Sequence, residues 1–434
     1  PSVSGSWIIT ETFKDKLPKW VSFAKVRGSW AQVGNDTSPY YINSGYSVAT
    51  YQRGDKKIYG MTIPENMKST NLKPERKNAW EVGLDWRFFD SRIGVDLTYY
   101  KENTRNQIMT INVPWESGVK EKLINAGNIQ NSGIEIALNT TPIKKKQWQW
   151  DLNFTYTRNR NKIVELSPDV TSYINLDGAA NYGNYRIASV AKVGSDYGML
   201  MSDSWIKTDE KTGKPVVGYT NKFRTVYYKR GGTVKEVGSM LPNFLGSLNS
   251  TLRWKDLSLY VLFDARFGGY VASYNSRYAT AYGFSGETEK YRKGMTWTSK
   301  YANAQDKVFT DGFIPDVVFD AGTIVTTPGG TNQDVSGMTY QEAYEKGYVE
   351  PAHLQSAAYF KNSWGTGVIN DDWFKKINYI ALREITLSYN VPTKISSYIG
   401  AKNLSLSFTG RNLAYLLNTA PNHENPESVR GTGA

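Results

Sequence analysis

Ten stretches of this chain alternate apolar and polar side chains one for one, and a strict period of two leaves little room for anything but β-sheet. The clearest runs from Trp80 to Tyr100. Val82, Leu84, Trp86 and Phe88 alternate with Glu81, Gly83, Asp85 and Arg87; after a polar turn at Asp90-Ser91-Arg92, Ile93, Val95, Leu97 and Tyr99 alternate with Gly94, Asp96, Thr98 and Tyr100. Successive side chains on a strand point to opposite faces, so each such strand has one apolar and one charged face. What each face meets decides the class of protein.

The same reading places strands at Ser6–Phe13, Val21–Val33, Trp80–Phe88, Ile93–Tyr100, Gly133–Thr141, Trp148–Asn159, Phe244–Trp254, Leu257–Phe267, Ile377–Val391 and Asn403–Asn412. The connections alternate short and long. Lys14–Trp20, Phe89–Arg92, Pro142–Gln147, Lys255-Asp256 and Pro392–Lys402 are short, and each is followed by a long excursion, which puts all the short turns at one end of the sheet. Compact domains rarely hold loops beyond about 15 residues, whereas a transmembrane barrel combines short periplasmic turns with long extracellular loops. The pattern therefore predicts an all-β chain: part of a transmembrane antiparallel β-barrel. A soluble sandwich shows the same alternation but not the alternation of loop lengths. Val261 is expected on the lipid face, and Asp264 and Arg266 in the lumen.

Composition agrees. A mean hydropathy of −0.50 is that of a polar protein, but a barrel is apolar only at every second residue of each strand. No apolar run approaches the ~18 residues of a membrane helix. Aromatic residues make up 14% of the chain, and Phe88, Phe89, Trp148, Trp150 and Trp254 gather beside short turns, where an interfacial girdle belongs. The net charge of +12 is scattered, and its one tight run, Lys144-Lys145-Lys146, sits in a turn, so a nucleic-acid partner is not expected. The absence of Cys removes disulfides, thiolate metal sites and thiol nucleophiles. Pro1-Ser2-Val3 opens inside structured-looking sequence, and the natural N-terminus is expected to be missing or processed.

Catalytic constellations do not emerge. The two histidines, His353 and His423, are too far apart for an HExxH motif, and Gly213-Lys214-Pro215 breaks a phosphate loop at its third position. The chain reads as neither an enzyme nor a cofactor protein. Ligand or partner contacts are expected from aromatic rings in the long loops, Tyr274, Tyr278, Tyr282, Trp297, Trp364 and Trp373, with packing among the loops as the competing role. Asn370-Asp371-Asp372 offers oxygen ligands for calcium but reads better as a solvated strand entry, and no metal is expected.

Several segments carry a resemblance over nearly the whole chain: Val26-Arg27-Gly28-Ser29-Trp30-Ala31-Gln32-Val33-Gly34-Asn35, Leu72-Lys73-Pro74-Glu75-Arg76, Trp80 to Asp85, Asn125 to Glu135, Leu241-Pro242-Asn243-Phe244 and Leu382 to Tyr389. In order and spacing the chain resembles the C-terminal barrel portion of a SusC/RagA-type TonB-dependent transporter. The resemblance implies an outer-membrane importer of oligosaccharides or peptides in a Gram-negative bacterium of the Bacteroidota. It also implies a TonB complex as energy source, a SusD-like surface lipoprotein as partner, and a plug, early strands and a closing strand lying outside residues 1–434. The alternative from a different class is a soluble β-rich carbohydrate-binding or adhesion module.

Overall fold

The computed structural model describes residues 1–434 except 15, 44, 70, 114, 126, 169, 171–172, 177–186, 223, 283, 287–288, 290–293, 354–368, 372, 422–423 and 428–434. Its centre is one antiparallel sheet of ten strands in chain order: β1 (Ser2–Ile8), β2 (Val21–Asn35), β3 (Glu75–Phe88), β4 (Ile93–Arg105), β5 (Gly127–Lys144), β6 (Trp148–Leu166), β7 (Phe244–Trp254), β8 (Leu257–Ala272), β9 (Phe374–Val391) and β10 (Leu404–Asn418). Every neighbour in the sheet is a neighbour in sequence. This is the meander that alternating short and long connections require.

All ten expected strands are present, with two corrections. The first strand, expected at Ser6–Phe13, lies at Ser2–Ile8 and gives way to a one-turn helix, Ile9–Thr12. Several strands also run further at the long-loop end than alternation suggested; β5 begins at Gly127 and β6 extends to Leu166. Beyond the apolar band both faces are polar, as at Asn128, Gln130 and Asn159 to Lys162. The period-two signal disappears there while backbone pairing continues: Gln130 still sits opposite Lys162 and Ser132 opposite Arg160. At the short-turn end, Phe89, Asp90 and Ser91 all take positive φ, and the backbone N–H of Ser91 donates to Ser22 Oγ at 3.1 Å, tying the β3–β4 turn to β2.

Register sorts the side chains. Residues opposite one another share a face, so the pairs Trp148–Trp254, Trp150–Leu252, Phe154–Leu248, Leu252–Leu259, Leu259–Leu387 and Leu387–Phe408 carry one apolar surface across five strands. Ring contacts knit it: Trp148 on Trp254 at 5.6 Å, Trp80 on Tyr99 at 5.3 Å, Phe244 on Phe267 at 4.8 Å. Leu406 and Phe408 are more than half exposed on this side. A water-soluble protein would bury such a surface; on a barrel it meets lipid.

The long connections form a layer of their own. Residues from two of them, Val217 and Val226 from the β6–β7 connection and Val317, Phe319, Val325, Val335, Tyr340 and Val349 from the β8–β9 connection, share a buried cluster. Parallel pairing of Val216–Val217 with Val318–Phe319 aligns the two excursions. Within the second excursion, Tyr340–Glu345 is a helix whose Thr339 and Glu342 form a capping box.

The face assignment makes a direct prediction. Val261, opposite Ile385 and Ser250 on the apolar side, stands about 10 Å above the turn end of a band about 25 Å tall. Replacing it with Arg is expected to cost about 2–4 kcal/mol, measured by denaturant titration of the folded barrel. Spin labels should report lipid at Val261 and water at Asp264. The reverse pattern would show the faces to be assigned inside out.

Candidate functional site

On the opposite face of the sheet the polar side chains bond across strands. Arg27 on β2 donates to both carboxylate oxygens of Asp96 on β4, at 3.0 and 2.9 Å, and also reaches Thr98 and Glu81. To do so it crosses β3, which lies between them, over Gly83; a Cβ there would fall 2.5 Å from Arg27 Nε. Glycine at this position is the absence of an obstacle. Further along, Asp151 accepts from Thr141, Gln149 and Arg253, Asn153 pairs with Asn249, and Thr155 with Ser247. Tyr100 lies over Gly133 in the same manner and donates to Asn159.

The largest cluster is at the β8–β9–β10 end. Arg383 donates to Asp264 at 2.7 Å and to Glu427 at 2.8 Å, and the Tyr379 and Tyr415 hydroxyls also donate to Glu427. A register irregularity between Leu382 and Glu384 turns Arg383 toward this face rather than away from it. Asp264 therefore lies on the polar face, as does Arg266, whose guanidinium donates to the backbone carbonyls of Gly268 and Met240. Sequence alone singled out Asp264 and Arg266 but missed Arg383, Arg27 and Gly83. The latter signals exist in the sequence, as charges on the polar parity of their strands, but only register shows which of them meet.

The aromatic candidates in the loops divide. Trp297 stacks on Phe309 at 5.0 Å, meets His353 at 4.9 Å and donates its Nε1 to Glu350, so its ring is packed between loop elements. Trp373 is 1% exposed and donates to the Ile369 carbonyl. It is a core side chain of the loop layer and presents no free ring. Tyr282 is 62% exposed. Tyr274 and Tyr278 fall on a helix, Tyr274–Ala281; their side chains, like the whole of Trp364, lie outside the described residues. Asn370 is fully buried and donates to Ser202, and Asp371 accepts from the Ile206 backbone, so both tie the β9 entry to the β6–β7 connection; Asp372 is outside the described residues. Among the described residues no group of three or more acidic, His or Cys side chains is arranged to hold a metal ion.

Ion pairs fasten the two large excursions. Asp320 receives Lys207 at 2.8 Å and Lys229 at 3.6 Å. Partial burial raises its pKa, but the Lys207 hydrogen bond and the two ammonium charges outweigh this and hold the carboxylate below its usual range. Burial pushes the Tyr219 and Tyr340 phenols up, so both stay neutral at any physiological pH, and Tyr340 donates to the Glu350 carbonyl.

A meander of amphipathic strands with aromatic turn ends and a structured loop layer defines the class: a transmembrane β-barrel. Residues 1–270 match the family model for the TonB dependent receptor-like beta-barrel, and the chain belongs to that family, whose barrels sit in the bacterial outer membrane. A soluble binding or adhesion module is thereby ruled out. TonB-dependent receptor P26 of Formosa agariphila is 24% identical over 95% of this chain, which spans 37% of that relative's length. The TonB-dependent receptor SusC of Bacteroides thetaiotaomicron is 28% identical over 50% of this chain and 22% of its own length. In structure the chain resembles the RagAB peptide transporter, with a TM-score of 0.63 and 15% identity over 99% of this chain and 41% of that one. The family comprises receptors and transporters rather than enzymes.

Three outcomes test the geometry. A double-mutant cycle on Arg27 and Asp96 should give a coupling of about 0.5–1.5 kcal/mol, discounted for the water-exposed setting. In a Gly83→Val background that coupling should fall to near zero, because the side chain blocks Arg27. In the loop layer, Phe319→Ala should cost about 3–5 kcal/mol of local stability, seen as faster hydrogen exchange in 216–228 and 318–335 with the barrel strands unchanged. Because the folded pKa of Asp320 is depressed, its contribution is present above the unfolded value of about 4 and is lost as pH falls through the folded one. Exchange in the same segments should accordingly rise below about pH 4, and less so in Asp320→Asn.

Proposed function

We propose that this chain forms wall and outer loops of an active outer-membrane importer of oligosaccharides or peptides, energised through TonB and working with a SusD-like lipoprotein. The observation that supports it most is the likeness to SusC and, in fold across 99% of the chain, to the RagAB peptide transporter. The chemistry fits. The lumenal wall in this reading carries amides, hydroxyls and neutralised charges, among them the Asn153–Asn249 and Thr155–Ser247 pairs and the Arg27–Asp96 bridge, which suit hydrated, hydrogen-bonding cargo such as sugars or peptides. Asp264 and Arg266 belong to this wall. Of the candidate loop aromatics whose side chains are described, Tyr282 is the one left exposed to cargo or to the lipoprotein.

The test is uptake. Cells carrying the full-length protein should accumulate labelled oligosaccharides or peptides from a mixed panel, and lose that uptake when the gene is deleted or the proton gradient is collapsed. Uptake that persists without the gradient would identify a passive pore instead. Co-purification of a surface lipoprotein in detergent tests the partnership separately.

A further inference from the structure

The apolar face of the sheet changes character at one height. Reading rows across β3, β4, β5 and β6, Val82, Tyr99, Ile134 and Arg158 lie opposite one another, then Trp80, Lys101, Ser132 and Arg160, then Asn78, Asn103, Gln130 and Lys162. All these positions share the lipid-facing parity. From Trp148 at the turn end, Arg158 lies about 26 Å up a tilted strand, at the upper limit of an apolar band about 25 Å tall. Three cations of β6 therefore emerge on the outer side of the barrel at the level of the outer-leaflet head groups.

These cations differ from those on the lumenal side. There Arg27, Lys77, Arg253, Arg383 and Arg411 each reach a carboxylate, and Arg266 reaches backbone carbonyls. Arg158, Arg160 and Lys162 are exposed, Lys101 is half-buried, and none of the four makes a side-chain ion pair or hydrogen bond among the described residues. Arg158, Arg160 and Lys162 also border a recess of about 400 Å³, completed by Gln130 and Ser132 on one side and by Leu241-Pro242-Asn243 and Asp196 on the other. The recess exists because β6 loses its neighbour: pairing with β7 ends at Thr157, and the backbone finds its next partners on that side only at Ile163, with Gly194 and Ser195. Since Ile163 directs its N–H and C=O to that side, those of Asn159 and Asn161 face it as well. Ile134 lies opposite Arg158, and Phe154 and its partner Leu248 lie four residues down the strand toward the turn end, each about two fifths exposed.

A concave group of unpaired cations and amide donors above an apolar wall is complementary to one kind of molecule, an amphiphile with an anionic head. Guanidinium groups favour phosphate, and a membrane-surface cation contributes about 1 kcal/mol toward an anionic lipid. We propose that the recess at Arg158, Arg160 and Lys162 binds the phosphorylated head group of an outer-leaflet glycolipid, whose acyl chains lie along Ile134, Phe154 and Leu248. The single carboxylate at its margin, Asp196, sets an orientation by excluding phosphate from that side.

The experiment uses the full-length protein purified from outer membranes in detergent, with heat-modifiable migration confirming a folded barrel in every variant. Phosphorylated lipid A is expected to bind, and R158Q/R160Q/K162Q to weaken it on the order of 100-fold at low salt. K144Q/K145Q/K146Q, which removes the same charge from a turn at the other end, should leave it unchanged. Equal binding by the first triple variant, or by dephosphorylated lipid A, would overturn the proposal. Inorganic phosphate competing as strongly as the lipid would reassign the recess to free anions and overturn it too. Should the triple variant not fold, R160K and a salt titration of the unaltered protein decide. Retained binding that weakens steadily with salt supports the site, and salt-independent binding refutes it.

Discussion

Everything in this structure depends on the cross-strand neutralisation of the polar face. A barrel strand carries charges at every second position, and these can line a wall only if their charges and hydrogen bonds are met by neighbours or water. The Arg27–Asp96, Asp151–Arg253 and Asp264–Arg383–Glu427 groups show how this is done: each links residues far apart in sequence through lateral register. The pairs fix that register in turn, because a slip of one residue would send every charge into lipid. The apolar pattern acts with them, because the same slip would turn the lipid-facing leucines and tryptophans into the lumen.

Much of this was legible from the residues. Alternation placed ten strands in order, loop lengths set the direction of the sheet, and parity separated Val261 from Asp264. The signal was local and repeated at every second residue. Three things were not legible. The start of β1 was displaced because Ser2 to Gly5 carry small, polar side chains with little amphipathic contrast, and the helix Ile9–Thr12 continued the apolar pattern past the strand end. Strand ends above the membrane were invisible because both faces there are polar. The partners of the long excursions were hidden for a different reason. Val217 and Phe319 are about a hundred residues apart and meet through a two-residue parallel ladder, for which neither segment has a periodic signature.

The candidate site shows the same division. Asp264 and Arg266 follow from parity, whereas the importance of Gly83 follows only from what crosses it. Aromatic content proved a poor guide to exposed binding rings: Trp297 and Trp373 hold the loop layer together. A large ring is costly to leave in water and is recruited first for packing, so richness in Trp and Tyr marks where loops are structured at least as much as where they bind.

That shared loop core has an evolutionary consequence. Two segments that each contribute half of one hydrophobic interior, and that are aligned by Val216–Val217 against Val318–Phe319, are inherited as a unit. Transplanting either one alone onto a related barrel leaves apolar side chains without their complement, so a viable chimera must exchange both. Diversification at this mouth then proceeds by paired replacement rather than loop by loop, and covariation among relatives should concentrate between these two segments instead of within either of them.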